Sequence, residues 1–421
     1  MKRKLSHALL MFLFCLSVLA CGPMGAAAQD NDAWLEGLYF TGYADVLYSH
    51  YNFGPDQTSG ANGAPEDSRA IMDLQRFVLG MGYDFDETLT FQVEVEFEHG
   101  GTGGAMELEY EEFGEYELEI EKGGEVVLEQ IHLTKVFNQW VALRGGHIIV
   151  PVGGLNSAHL PLNHFGTIRP EAEATMIPTT WHETGLEVFG EAGDFGYQVL
   201  LVNGLDSTGF DSKFWVRGGH QLRFEQTRAT DLALVGRLTW TGVRGLAVSV
   251  SAYHGDTTGN RPKPDMEGIS APLTLVGADL RYGRGPLRVR ASYLHGHLDN
   301  AAAISRKNRR LSTNLGVART PVAEGARSFG AEAGYDILPH LGGPAHQALL
   351  PFVRYEQVDT MHDVADGFFA DPRFDRRVTT LGFNWFLRST VAIKGDYSVR
   401  SFGADRYRKE KTFGLSLGLI F

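Results

Sequence analysis

Cysteine is nearly absent. The 421 residues contain two, Cys15 and Cys21, and both fall at the very start of the chain. Disulfide stapling is thereby excluded for everything after position 21, so the fold must be held by other means, of which a fully hydrogen-bonded sheet is one. Long apolar runs are missing too. Past the N-terminal segment no stretch approaches the ~18 consecutive apolar residues of a transmembrane helix. Basic charge is in deficit, with 38 Lys and Arg against 51 Asp and Glu and a net charge of −13, which argues against nucleic acid as a partner. Catalytic signatures are missing as well. There is no G-x-S-x-G nucleophile elbow and no Walker motif, and nothing pairs a nucleophile with a base, so the chain reads as non-enzymatic with no cofactor implied. The fifteen histidines show no H-x₃-H or HExxH spacing. His147, His159, His164 and His182 surround one loop and read as single pore or rim histidines, not as a metal site.

The N-terminus is organised for export. Lys2, Arg3 and Lys4 precede an apolar run from Ala8 to Ala20, and small residues follow through Ala26, Ala27 and Ala28. That order reads as a secretory signal peptide over residues 1–28, cleaved to leave Gln29 first. Val18-Leu19-Ala20-Cys21 is a competing lipoprotein box, with Leu19 a poor fit. Cleavage after Ala28 removes three cations and takes the net charge from −13 to −16. Residues 29–36 then form a short periplasmic N-terminus and residues 37–421 the body of the protein.

That body repeats one unit: about ten alternating residues, a short turn, ten more, then a long polar loop. The chain ends on the clearest case. Phe413, Leu415, Leu417, Leu419 and Phe421 alternate with Gly414, Ser416 and Gly418, which puts an apolar row on one face of a strand. A terminal apolar strand invites aggregation unless both of its edges are paired, and a closed barrel pairs them. The ending resembles the C-terminal strand of bacterial outer-membrane barrels, which also finishes on an aromatic residue and serves as an assembly signal. In residues 88–98, Leu89, Phe91, Val93, Val95 and Phe97 face one way, and Glu94, Glu96 and Glu98 the other. Charge facing lipid at mid-bilayer costs ~2–4 kcal/mol in the worst cases, so in a barrel the glutamates face a lumen. Sixteen such strands can be placed, with the first at 37–49 and the second at 69–83. Short turns and long loops alternate between them, a rhythm a soluble sandwich has no reason to keep. The expected fold is all-β: a transmembrane antiparallel barrel of about sixteen strands.

Strand parity places Arg76, Arg144, Arg237, Arg281, Arg288, Arg290, Arg354, Lys394 and Arg400 in the lumen. Glu94, Glu96, Glu98, Asp279, Glu332, Glu356 and Asp396 stand against them, a mixed lining with a modest cationic excess. After the fifth strand, residues 150–181 do not alternate and carry Pro151, Pro161, Pro170 and Pro178. Prolines at that density fix an irregular path.

The runs R-G-G-H-I-I-V-P-V-G-G-L-N (Arg144 to Asn156), R-P-E (Arg169 to Glu171) and I-P-T-T-W-H-E-T-G-L-E-V-F-G (Ile177 to Gly190) resemble the phosphate-selective porin O and P family. So do G-D-F-G-Y-Q-V-L-L-V-N-G-L-D (Gly193 to Asp206) and V-R-G-G-H-Q (Val216 to Gln221). The resemblance spans roughly Leu128 to Gln221. It implies a trimeric sixteen-stranded porin whose third long loop folds inward to narrow an anion-friendly lumen. The sequence departs from it in one respect. Phosphate specificity needs a ladder of cationic donors, and residues 150–181 offer only Arg169 among fixed cations, beside His159 and His164.

The expected function is therefore passive diffusion of small, hydrophilic, anion-leaning solutes through an outer-membrane channel. Lipid, the assembly machinery and two further copies of the chain are its partners. A plugged structural or adhesive barrel is the alternative. The acid-rich stretch 107–121 reads as a solvated hairpin on the rim, with divalent-cation binding as the second reading. Mass spectrometry of the exported chain should place its N-terminus at Gln29; a lipid-modified Cys21 would reverse that reading.

Overall fold

A computed structural model describes residues 36–55, 66–100, 124–221, 226–311 and 319–421. The chain divides into Met1–Leu38, of which residues 36–38 are described, and a compact unit Tyr39–Phe421. The signal segment 1–28 and the acidic stretch 107–121 lie outside the described residues.

Sixteen strands make one sheet closed on itself. They are β1 (Leu38–Pro55), β2 (Glu66–Asp86), β3 (Leu89–Glu98), β4 (Glu125–Asn138), β5 (Val141–Ile149), β6 (His182–Ala192), β7 (Phe195–Asn203) and β8 (Leu232–Val243). They continue as β9 (Leu246–Asp256), β10 (Pro272–Arg284), β11 (Leu287–Leu298), β12 (Gly325–Tyr335), β13 (Ala348–Asp363), β14 (Asp375–Arg388), β15 (Val391–Phe402) and β16 (Glu410–Ile420). Each strand bonds to its sequence neighbours, and β16 returns to β1. That seam runs antiparallel from Tyr43 opposite Ile420 to Asn52 opposite Lys411. At its end the Gly42 N–H donates to the Phe421 carbonyl at 2.8 Å, and the Phe421 N–H to the Gly42 carbonyl at 2.9 Å. No strand edge is left for lipid, where an unpaired backbone group costs several kcal/mol.

The side-chain alternation is inverted relative to a water-soluble protein. Leu79, Val250, Val276, Leu381, Leu415 and Leu417 are exposed, while Ser249, Ser251, Asp279, Thr380 and Ser416 between them are buried. Exposed aromatic residues gather at the short-turn end: Phe85, Phe137, Trp140, Phe195, Trp385 and Phe421. That is the interfacial girdle of a membrane barrel. The short turns are built locally. In the β4–β5 turn, for example, Asn138 Oδ1 accepts from the N–H groups of Trp140 (2.8 Å) and Val141 (3.0 Å). The one long connection on that side, residues 336–347, is shaped by a 3₁₀ turn over Leu338–Leu341.

β1 and β2 extend further than the apolar alternation suggests, to Pro55 and from Glu66 in place of 49 and 69. Beyond the lipid-facing band a hairpin needs only its backbone ladder, so a polar sequence continues the strand unmarked. Tyr51 and Phe53 stack there at 5.4 Å.

Phe421 closes the seam twice, through its backbone and through its ring, which stacks with Phe77 at 6.5 Å. Deleting Phe421, or shifting the apolar row by one residue, should abolish the heat-modifiable barrel band and leave unfolded protein in the periplasm. Normal assembly of either variant would contradict the role of this strand.

Candidate functional site in the barrel lumen

Irregular backbone carries carbonyls and amides that no ladder satisfies, so each must find a partner where it lies. Residues 150–181, between β5 and β6, find theirs on strands from nearly every side of the barrel. Arg237 on β8 donates to the Gly153 carbonyl at 2.9 Å, and the Gly153 N–H donates to Ser251 on β9 at 3.2 Å. Arg290 on β11 donates to the Asn163 carbonyl, Arg354 on β13 to Phe165, and Lys394 on β15 to Pro161. Asn384 on β14 accepts from the Gly166 N–H at 3.1 Å, and Arg76 on β2 donates to Thr180 at 3.1 Å. One segment can touch β2, β8, β9, β11, β13, β14 and β15 of a closed barrel only from inside.

Two short helices stiffen the segment: α1 (Gly153–Asn156) and α2 (Glu171–Met176). Gly153 has φ +75°, and a Cβ there would collide with the Glu173 carboxylate, which accepts from the Leu155 N–H at 2.8 Å. Glycine satisfies both constraints at once. Burial pushes the Glu173 carboxyl up, opposed mainly by that N–H. At the start of α2, Glu171 receives Arg400 through both oxygens (2.6 to 3.1 Å), with Arg376 at 3.5 Å. The Ala172 N–H donates to Glu356 on β13 at 2.9 Å.

Glu96, Arg237, Asp279, Glu332, Arg354, Glu356, Lys394 and Asp396 are buried, surroundings that differ from an open lining. Arg237 holds Asp279 through two bonds of 2.9 and 2.8 Å, and Arg354 holds Glu332 at 2.8 Å. With their carbonyl contacts, Arg237, Arg354 and Lys394 are buried fixtures of the loop. Arg144 pairs with Glu187 at 2.7 Å and lies over the Phe189 ring. Arg76 pairs with Glu96 (3.1 Å) and Glu98 (3.4 Å), and Glu94 accepts from Gln130 at 2.6 Å.

The three loop residues proposed for the constriction are corrected in their roles. Arg169 turns back on its own loop, donating to the His159 carbonyl at 3.3 Å and to Thr180 at 2.8 Å. His164 is buried, and burial with Lys394 and Arg354 nearby holds its imidazole well below the usual range. His159 sits against Tyr43 and Glu129. The expected cationic excess is also corrected. Buried Asp45, Glu129, Glu183 and Glu187 were missing from the inventory, and Arg376 was the cation overlooked. Glu129 escaped because a bulge between Glu94 and Val95 breaks the parity of β4 at that point.

The charge left unspent lies on β10 and β11. Arg281 stands directly opposite Arg290, and Gly283 opposite Arg288. Asp279, the carboxylate on the same strand, is taken by Arg237. Among the described residues neither Arg281 nor Arg288 forms an ion pair, and Arg288 donates only to the carbonyls of Gly285 and Leu287.

A second infolded loop was not anticipated. From residues 204–231, Trp215 donates to the Ala323 carbonyl at 3.0 Å, Arg217 to Ala174 at 2.9 Å, and the Ser212 carbonyl accepts from Thr360 at 2.6 Å. Phe210, Trp215 and Val216 join Val152, Ile177 and Trp181 in an apolar cluster that reaches Leu275 and Leu294 on the wall. The signal was available: Phe210, Phe214, Trp215 and Val216 are a greasy set for a surface loop. Contrary to the reading above, the sequence does hold a G-x-S-x-G string, Gly414-Leu415-Ser416-Leu417-Gly418, but Ser416 lies mid-strand in β16 and not on a strand-to-helix turn, so it is no nucleophile elbow.

No protein-family model matches the chain. An uncharacterized protein of Aquifex aeolicus is 25% identical over 381 residues, spanning 89% of this chain and 78% of that one. Among solved structures, OmpF of Salmonella typhi in complex with daunomycin aligns with TM-score 0.55 at 12% identity, over 91% of this chain and 97% of that one. The outer membrane channel DcaP of Acinetobacter baumannii aligns with TM-score 0.54 at 11% identity over the same shares. The anion-selective porin of Comamonas acidovorans aligns with TM-score 0.53 at 10% identity, over 91% and 99%. At these identities the likeness is one of fold: the closed sixteen-strand barrel of outer-membrane porins.

The Glu171 latch is the point at which α2 is held to β14 and β15. Replacing Glu171 with Gln should remove charge-assisted bonds worth about 1.5–3 kcal/mol and free the loop locally. The measurable outcome is a folded barrel with new protease cleavage within residues 150–181 and noisier single-channel current. Unchanged protection would mean the latch is redundant.

Proposed function

We propose that the protein is a passive outer-membrane porin for small hydrophilic solutes, with a preference for anions. It does no covalent chemistry. One observation carries the reading: the apolar, exposed face of the strands points outward while charged residues at both ends of the barrel point inward and stay partly wet. Arg144 and Glu98 keep about a quarter to a third of their side chains exposed, Arg400 likewise, and Arg288 is open at the short-turn mouth. Charged groups facing a lumen need water, and connected water is a path for solutes.

The preference for anions rests on β10 and β11. Arg354 and Lys394 are spent on loop carbonyls and cannot read a passing solute. Arg281 and Arg288 form no ion pair among the described residues, Arg288 donating only to carbonyls of its own turn. With Arg290, which bonds the Asn163 carbonyl and stands 3.7 Å from Glu332, they form a group of guanidinium ions at the short-turn side of the loop. Guanidinium groups bind carboxylate and phosphate oxygens in pairs, without committing to phosphate. Paired charges elsewhere in the lumen hold the loop in place. The infolded apolar cluster favours a narrow passage over a wide one, which suits small solutes. Homotrimeric assembly and delivery by the outer-membrane assembly machinery, with Phe421 as the signal, complete the proposal.

Planar-bilayer recording tests both parts. Ohmic steps are expected from the purified barrel, and their absence would favour the plugged, structural alternative. Replacing both Arg281 and Arg288 with Glu should reduce the anion-to-cation permeability ratio by about tenfold without loss of the folded band. A folded double variant with unchanged reversal potential would move selectivity away from this pair.

A further inference from the structure

The wall opposite the arginine group carries the reverse imbalance. Glu94, Glu96 and Glu98 on β3 and Glu129 on β4 converge where the 150–181 loop passes, and the fixed cations beside them are already engaged. Arg76 is engaged by Glu96 and Glu98, and Arg169 by the His159 carbonyl and Thr180. Glu94, Glu129 and His159 each offer one donor atom, and the three atoms lie within 4.8 Å of one another. Sequence spacing could not reveal this group, since its members lie on two strands and a distant loop.

Glu129 is the decisive member. Its side chain is fully buried. One carboxylate oxygen accepts from the Tyr43 hydroxyl at 3.2 Å, while the other, Oε1, has no hydrogen-bond partner and stands 3.7 Å from His159 Nε2. The Thr180 hydroxyl and Arg76 are the other groups that face it. A buried anionic oxygen left unpaired costs several kcal/mol unless a cation or a proton occupies the gap. His159 is oriented for the purpose. Its Nδ1 lies 3.2 Å from the Asn156 carbonyl, which fixes Nδ1 as the protonated nitrogen and leaves the Nε2 lone pair turned towards Glu129. The 3.7 Å between these two donors compares with about 3.3 Å across a tetrahedral zinc ion, so a small rotation would complete the contact.

We propose that Glu94, Glu129 and His159 form a binding site for a first-row divalent transition cation of the zinc class, which ties the infolded loop to β3 and β4. One imidazole nitrogen with two carboxylate oxygens suits zinc, manganese or ferrous iron better than calcium, which takes six to eight oxygens. The site adds a fastening on the side of the barrel where the loop has few cationic bonds to the wall. It does not depend on the channel reading, since binding is measured on the folded barrel alone.

The test is equilibrium dialysis of Zn²⁺, and separately Ca²⁺, against untagged, chelator-stripped protein whose folding is verified by heat-modifiable mobility. One zinc per chain is expected. His159→Gln and Glu129→Gln should each weaken it by at least about 100-fold, while Glu191→Gln, an exposed residue near the end of β6, should leave it unchanged. If Glu129→Gln does not fold, His159→Gln decides, because among the described residues the hydrogen bond that side chain makes, to the Asn156 carbonyl, lies within its own loop. The proposal is overturned if the wild type binds no zinc, which would mean that protons neutralise Glu129. Calcium binding equal in wild type and His159→Gln would overturn the class of ion. Zinc binding lost in His220→Gln but kept in His159→Gln would place the ion instead among His147, His182 and His220, whose rings pack at 4.6 and 4.5 Å.

Discussion

Everything in this molecule follows from the seam between β1 and β16. A sheet in lipid cannot leave an edge, and the pairing of Tyr43 to Asn52 with Ile420 to Lys411 removes the last one. Closing the ring also fixes which face is which. Because side chains alternate with a period of two, a slip of one residue in this register would turn Phe413, Leu415 and Leu417 inward and present Ser416 and Gly418 to the bilayer. The apolar belt, the aromatic girdle and the polar interior are all consequences of that single register.

Closure creates an interior with its own demands. Charges facing inward must meet water, counter-charge or backbone dipoles. The chain answers by sending irregular backbone inside. Residues 150–181 have carbonyls to spare, and Arg237, Arg354 and Lys394 donate to them, the two arginines while holding Asp279 and Glu332 on the wall. Wall charges and loop carbonyls thus satisfy each other, so the loop cannot leave without exposing both. A group used this way cannot also read solutes. The fastening cations on β8, β13 and β15 thus differ from Arg281 and Arg288, which form no ion pair among the described residues and lie across the lumen from the acid-rich wall of β3 and β4.

The infolded residues 205–219 add a different kind of cohesion. Trp215 and Phe210 bury apolar surface against Trp181, Ile177 and the wall residues Leu275 and Leu294, making a hydrophobic core inside a membrane barrel. At roughly 1.5–3 kcal/mol for each large side chain fully buried, this cluster rigidifies the long-loop end far more than scattered surface ion pairs would.

The sequence by itself determined the strand count, the face each strand shows to lipid, the alternation of short turns and long loops, and the inward parity of Arg76, Glu96, Arg237, Asp279 and Lys394. These are local matters: a period of two and a turn signal can be read within a dozen residues. Tertiary structure alone decided which charges pair. Arg354 meeting Phe165, Arg400 meeting Glu171, and Glu129 meeting His159 each depend on how a non-repeating loop threads the lumen, and no periodicity encodes such a path. The bulge at Glu129 shows the limit in miniature. One extra residue in a strand reverses the parity on which the whole reading rests, and its position is set by pairing with the neighbouring strand, not by the side chains of β4 itself.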